Sequence, residues 1–134
     1  MNIVISINPE YVNKIIIETK KFEYRTRIPK YSVQKLFIYE TAPIKKVVAE
    51  VEIVEILALE PNALREETKE FSGVTKTFFD EYFKGRKVAY AYKFGRVKVY
   101  KEPKNLNEFG LETAPQSYAY AKKNFNEKNS MSFY

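Results

Sequence analysis

The residues best suited to chemistry lie in one short stretch, Glu18–Arg27, which has the sequence ETKKFEYRTR. If its second half is an extended strand, alternate side chains share a face, so Glu23, Arg25 and Arg27 point to one side. A guanidinium group can fork onto a phosphate or stack on a base, and a carboxylate can accept a hydrogen bond from an exocyclic amine. The same pattern fits an exposed charge pair of little energetic value. The stretch therefore predicts either the wall of a polar cleft or a solvated strand edge.

Composition excludes several common chemistries. The 134 residues include no cysteine and no histidine, which removes thiol nucleophiles, disulfides, the usual general base and the usual transition-metal ligands. The glutamates follow no metal-ligand pattern, so we expect no metal and no cofactor. No apolar run approaches the roughly 20 residues of a membrane span, and the first residues do not resemble a signal peptide. We expect a cytoplasmic protein without a membrane partner.

Charge is distributed unevenly along the chain, whose net charge is +6. Residues 14–46 contain nine Lys or Arg against three Glu, and residues 84–104 contain eight against one. Residues 47–70 instead contain seven glutamates against two basic residues. This distribution favours one basic and one acidic face. The basic face, which includes Lys93 and Arg96, could follow a nucleic-acid backbone; surface lysines that only keep a small protein in solution give the same pattern.

Hydrophobic periodicity predicts about six strands and two or three helices. Alternating apolar residues indicate strands over residues 2–7, 23–27, 34–39, 44–59, 88–99 and 115–121. Apolar residues at helical spacing indicate helices over residues 9–19 and 74–83, and we also expect a helix over the short acidic segment 61–69. The alternation slips phase near Ile53-Val54 and at Gly95, which is typical of β-bulges in a curving sheet. We expect an α+β fold over residues 1–123, a curved, mostly antiparallel β-barrel with two to three peripheral helices, followed by a flexible tail over residues 124–134.

The chain resembles the ASCH domains of the PUA-like barrel superfamily. Lys20, Glu23 and Arg25 match the family's G-x-K-x-x-E-x-R motif, which lies at a helix-to-strand junction, while Glu18 stands where the family usually has glycine. Further segments agree in order. They are Ile-Asn-Pro after the first strand, Tyr-Glu-Thr at residues 39–41, the F-x-x-Y-F-x-G segment at 79–85, the Ala-Tyr-Ala strand and Pro-Gln-Ser-Tyr at 115–118. The resemblance covers residues 1 to 121 and is to the stand-alone, single-domain form.

The resemblance implies binding of RNA or of a modified nucleotide, with a regulatory role. The family's cleft lies between the barrel and the first helix, with the motif residues on its floor. Tyrosines beside the cleft would stack an unpaired base. The candidate ligand-binding residues are Lys20, Lys21, Glu23, Arg25, Arg27, Tyr39, Thr41, Lys93, Arg96, Ser117 and Tyr118.

Two other functions stay open. Some small ASCH proteins are amidohydrolases of acetylated cytidine that use a lysine matched by Lys20 and a threonine where this chain has Glu23. That mechanism does not carry over, although Lys20 and Glu23 could act as acid and base on a modified nucleoside. The family also occurs in transcription coactivators. A protein partner could therefore dock on the acidic segment 47–70 or on the aromatic residues 78–83.

Overall fold

The structure of the protein, a computed structural model, describes residues 1–30 and 32–122. The predicted tail over residues 124–134 lies outside this range. The strands are β1 (Asn2–Ile7), β2 (Phe22–Arg25), β3 (Lys35–Glu40), β4 (Lys46–Leu59), β5 (Ala89–Lys104) and β6 (Tyr118–Tyr120). The α-helices are α1 (Pro9–Ile16), α2 (Pro61–Thr68) and α3 (Lys76–Tyr82), and two short 3₁₀-helices cover Lys69–Phe71 and Leu106–Phe109. None of the helices in the described part of the chain is both long and apolar enough to cross a bilayer.

The strands form one curled sheet in the order β2-β5-β4-β3-β1-β6. The β1–β3 pair is parallel and the other four pairs are antiparallel. Over the described residues the result is a half-barrel of six strands with three α-helices, which confirms the predicted α+β class and its curved, mostly antiparallel sheet. The short strands β2 and β6 are its two edges.

The sheet bends where the hydrophobic alternation slips. Between the pairs Ile53–Phe94 and Glu55–Lys93, β4 advances two positions and β5 only one, so Val54 is an extra residue. On β5 the extra residue lies between Phe94 and Val97, next to Gly95. A Cβ on Gly95 would lie only 2.7 Å from Val54 Cγ1, so glycine lets the two bulges meet. Both predicted bulges are confirmed.

Helix α1 is shorter than its apolar pattern predicts. It begins as expected, with the Asn8 side chain accepting a hydrogen bond from the Tyr11 amide and with Pro9 in the first turn. It ends at Ile16 instead of Thr19 because Glu18 takes a left-handed backbone conformation with φ +63°. That residue turns the chain toward β2, and it stands where the motif usually has glycine.

Apolar side chains cover both faces of the sheet. One cluster joins α1 to β1 and β3, a second joins α2 and α3 to β2 and β5, and a third lies under the 3₁₀-helix at 106–109. Four consecutive β3 residues, 36–39, are buried. This agrees with β3 lying inside the sheet between β1 and β4.

Candidate ligand-binding pocket

A pocket of about 200 Å³ opens between α1, α3 and the ends of β1 and β2. Its position, between the half-barrel and the first helix, is that of the cleft expected from sequence. All three motif residues line it. The full lining is Ser6, Ile7, Asn8, Tyr11, Lys20, Glu23, Tyr24, Arg25, Val74, Phe78 and Tyr82.

Lys20 is the most buried charged group of the pocket, with 2% of its surface exposed. Its Nζ donates to the backbone oxygen of Ser72 at 2.9 Å and lies 4.9 Å from the centre of the Tyr24 ring. Removal from water lowers the pKa of Lys20, Glu23 opposes this shift, and Lys14 and Arg25 add to it, so that the resulting pKa is about 8. The amine is therefore still mostly protonated at pH 7, but it loses its proton at a lower pH than an exposed lysine does.

The segment that accepts the Lys20 hydrogen bond is fitted to the lysine stem. Gly73 has φ +72°, a left-handed conformation that favours glycine, and a Cβ there would lie 2.5 Å from Lys20 Cγ. Lys14 Nζ also donates to the Gly73 carbonyl at 3.0 Å. Two lysines thus hold this segment against the pocket wall that Val74 completes.

Glu23 and Arg25 lie on the same side of β2, as their spacing predicts, and form a nearly buried ion pair. Glu23 Oε2 accepts from Arg25 Nε at 3.0 Å and from Arg25 Nη2 at 2.8 Å. The two side chains are 10% and 14% exposed. Glu23 Oε1 lies 3.9 Å from Lys20 Nζ. One carboxylate therefore compensates two cations, and the solvated-edge interpretation of this stretch does not describe the fold.

Arg25 also connects the two edges of the sheet. Its Nη2 donates to the Ser6 carbonyl on β1 at 3.1 Å, and its Nη1 donates to Ser117 Oγ, just before β6, at 3.0 Å. Ser6 Oγ in turn donates to the Pro115 carbonyl at 2.6 Å. Side-chain hydrogen bonds thus join edge strand β2 to the β1–β6 edge, at the floor of the pocket. One Nη1 hydrogen of Arg25 is left without a partner among the described residues.

Aromatic side chains form the outer wall of the pocket. Phe78 and Tyr82 on α3 stack on each other with ring centres 5.9 Å apart and an interplanar angle of 12°, and they are 42% and 36% exposed. Tyr11 of α1 packs against Phe78 at 5.8 Å. On the neighbouring face of α3, Phe79 and Phe83 are buried in the core. In the sequence, Phe78 and Tyr82 are four residues apart, and so are Phe79 and Phe83. This spacing indicates that each pair shares one side of the helix.

The other predicted site residues near β2 lie outside the pocket. Lys21 Nζ stacks over the Phe71 ring at 4.3 Å, and Arg27 borders a second hollow beyond the end of β2. Lys93 and Arg96 are exposed along β5. The structure therefore brings only part of the predicted basic set together with the motif.

The predicted residues of β3 and β6 also differ in placement. Tyr39 is 6% exposed and packs in the third core cluster, away from the pocket lining. Thr41 follows β3 and its amide donates to the Ile7 carbonyl at 3.1 Å, at the pocket wall to which Ile7 belongs. Tyr118 packs beside the first core cluster and against Tyr120, while Ser117 reaches the pocket through Arg25.

No group of three acidic side chains in the described ranges is placed to hold a metal ion. Sequence reasoning did not assign to the pocket several residues that line it. These are Ser6, Ile7, Asn8, Tyr11, Tyr24, Val74, Phe78 and Tyr82.

The fold and the motif both have counterparts. The family model described as "ASCH domain" matches residues 5–107. The crystal structure of ASCH from Zymomonas mobilis is similar to this chain with a TM-score of 0.85 at 25% identity, covering 97% of this chain and 94% of that one. A Tyr-to-Phe mutant of that protein has a TM-score of 0.84 at 24% identity, with 97% and 96% covered.

Two longer proteins contain a segment similar to this chain. One is "ATP synthase subunit alpha" of Ureaplasma parvum serovar 3, 29% identical over 121 residues. The other is "Large ribosomal subunit protein uL22" of the same organism, 32% identical over 124 residues. The match covers 90% of this chain in both cases, but only 15% and 39% of those proteins. This chain therefore spans less than half the length of either relative.

Proposed function

The chain belongs to the ASCH domain family, and we propose that it binds RNA, or a modified nucleotide, in the pocket between α1, α3 and the end of β2. The family is generally thought to bind RNA. The observation that carries the proposal is the combination of an exposed, stacked aromatic wall with a charged floor in one concave site. A planar base matches the aromatic wall. The polar edge of the base and the phosphate of the nucleotide match the charged floor.

The aromatic wall supplies affinity without sequence preference. Stacking on an aromatic side chain contributes roughly 1–3 kcal/mol per base because every base has a π-face. Phe78 and Tyr82 present ring surface to the pocket and are fixed to a helix whose other aromatic residues are buried. Little conformational entropy is therefore lost when a base settles on them.

The floor supplies polar selectivity. Glu23 can accept from an exocyclic amine, as carboxylates do with cytosine N4, and the remaining Arg25 hydrogen can donate to a base or phosphate oxygen. Arg25 does not present a free fork to phosphate, because both its Nε and its Nη2 are bound to Glu23. Its role in this proposal is to position Glu23, in place of the bidentate phosphate contact expected from sequence.

The relatives support a function carried by the domain itself. Segments similar to this chain occur in proteins named for ATP synthase and for the large ribosomal subunit. The ribosomal name fits an RNA environment, and the other name does not. What the two share with this chain is the segment alone, so a general capacity such as nucleic-acid binding fits better than a reaction specific to one assembly.

The proposal is tested by titrating a fluorescent single-stranded RNA with the wild-type chain and with Phe78→Ala. We expect the variant to weaken binding by roughly 1–3 kcal/mol through loss of stacking. Phe71→Ala is the matched control, because Phe71 is 38% exposed and does not line the pocket. Absence of any salt-dependent RNA binding by the wild-type chain would overturn the proposal, as would equal losses in both variants.

A second candidate function is hydrolysis of an acetylated nucleoside. The observation that favours it is Lys20, a buried amine with a pKa of about 8 that lies beside a carboxylate in the pocket. A partly neutral amine can accept a proton from water as the water attacks an amide carbonyl. Incubation with acetylated cytidine would show loss of the acetyl group from wild type and none from Lys20→Met. An unchanged substrate after incubation with wild type excludes this function.

A further inference from the structure

A second hollow, of about 390 Å³, lies just beyond the end of β2. It is lined by residues 26–28, residues 86–88 and Tyr90. Three of these seven residues are cationic, namely Arg27, Arg86 and Lys87, and none is acidic. We call this surface the cationic hollow. It shares no lining residue with the pocket of the proposed function, and none of its residues belongs to the motif.

The three cations of the hollow are exposed. None of them forms an ion pair with a residue in the described ranges, whereas Lys35, Lys69 and Lys76 each have a carboxylate within 3.0 Å. Like charges that share a concave surface repel one another, and a bound polyanion offsets that repulsion. Binding also releases the counterions that were condensed on the polyanion, which favours the complex. The hollow therefore has the electrostatic character of a phosphate-binding surface.

The hollow and the aromatic pocket share a wall. Arg25 lines the pocket, and the next residue, Thr26, lines the hollow. Tyr82 of α3 also lines the pocket. A chain that leaves the pocket past Arg25 and Thr26 enters the hollow directly. The pocket and the hollow are therefore adjacent, as binding sites for consecutive parts of one strand must be.

We propose that the cationic hollow binds the phosphodiester backbone of a single-stranded RNA whose base occupies the aromatic pocket. The ligand is then a polynucleotide and not a free nucleotide. This inference rests on the proposed function and adds to it the class of ligand and the direction in which the strand leaves the pocket. Aromatic stacking beside a cationic groove is the general arrangement of single-strand binding.

The test compares two ligands and two triple variants. The ligands are a nucleoside 5′-monophosphate and a single-stranded RNA of about eight nucleotides. The hollow variant carries Arg27→Gln, Arg86→Gln and Lys87→Gln. The control variant carries Lys45→Gln, Lys98→Gln and Lys101→Gln, which removes the same charge from exposed positions outside both concavities.

We expect the hollow variant to weaken RNA binding at least tenfold and to leave mononucleotide binding within twofold of wild type. The slope of log affinity against log salt should fall by about 0.7 for each phosphate that the variant no longer neutralises. The control variant should change RNA affinity less than threefold, and both variants should keep the wild-type free energy of unfolding.

The outcomes separate the two proposals. If wild type binds RNA in a way that depends on Phe78, yet the hollow variant binds as wild type does, the cationic hollow is not the backbone site. The same conclusion follows if the control variant loses as much affinity as the hollow variant, because the effect is then one of net charge. If wild type binds neither ligand, the proposed function fails together with this inference.

Discussion

Two groups of cations flank the end of β2, and they are built in opposite ways. In the pocket, Lys20 and Arg25 are nearly buried, share one carboxylate and donate hydrogen bonds to backbone oxygens. In the cationic hollow, Arg27 and its neighbours are exposed, without an ion pair to a described residue. The first group shapes the fold, and the second is available to meet a ligand. Replacing a motif residue should therefore lower the free energy of unfolding more than replacing a cation of the hollow.

The largest expected effect comes from Glu23→Ala. This change leaves Lys20 and Arg25 nearly buried without their shared counter-charge, and breaking a buried pair in this way costs about 3–5 kcal/mol. Urea unfolding monitored by tyrosine fluorescence measures the loss. The matched control is Glu66→Ala, whose exposed pair with Lys69 contributes less than about 1 kcal/mol. Similar losses in the two variants would remove the contrast between buried and exposed charges.

The next effect tests how tightly the pocket segment is fitted. Gly73→Ala should lower the free energy of unfolding by about 2–4 kcal/mol, because it adds the cost of a left-handed alanine to a collision with the Lys20 stem. Gly85→Ala is the control, since Gly85 has a similar φ of +77° but no atom within 4 Å of the added Cβ. We expect about 1–2 kcal/mol there. Equal losses would mean that the lysine stem moves aside freely.

Stability should also depend on pH through Lys20. Its pKa is about 8 in the folded chain against an ordinary 10.5, so between these values the unfolded chain binds more protons and stability rises with pH. From pH 8 to about 9.5 the rise should be about 1–2 kcal/mol relative to Lys20→Met. Urea unfolding of both proteins at several pH values gives this difference and cancels groups common to both. A difference that stays flat would show that the buried lysine keeps its ordinary pKa, and one that falls would show that its pKa is raised.

The smallest effect should be a gain. Glu18 occupies the glycine position of the motif with φ +63°, so Glu18→Gly removes backbone strain and should raise the free energy of unfolding by about 0.5–1 kcal/mol. Glu18→Ala keeps the strain and should change stability by no more than about 0.5 kcal/mol. If both variants have the same stability, φ at this residue is not under strain. Thermal melts followed by circular dichroism resolve the difference.

Local sequence patterns were sufficient to predict the strands, the bulges and the side of β2 that Glu23 and Arg25 share. They were insufficient where the answer depends on packing between distant elements. Tyr39 lies on a central strand with both faces buried, so alternation alone does not say which face meets a ligand. Phe78 and Tyr82 become a pocket wall because α3 buries its neighbouring face, which is decided by the angle at which the helix packs.

The contacts that Arg25 makes could not be predicted from the sequence for the same reason. Its spacing from Glu23 marks an ion pair, but the Ser117 partner lies 92 positions further along the chain. Nothing in the local sequence of either residue indicates the other. The family pattern identified a stretch whose motif residues line the pocket, and the hydrogen bonds of Arg25 favour a bracing role over a fork onto phosphate.

That brace has a consequence for synthesis of the chain. The contact between Arg25 and Ser117 closes only after residue 117 has left the ribosome, because a long-range contact must await the ordering of the intervening chain. The earlier elements α1, β2 and α3 can pack before then, but the floor between the two sheet edges is still open. The brace between the two sheet edges is therefore completed late in synthesis, after every residue that lines the pocket has left the ribosome.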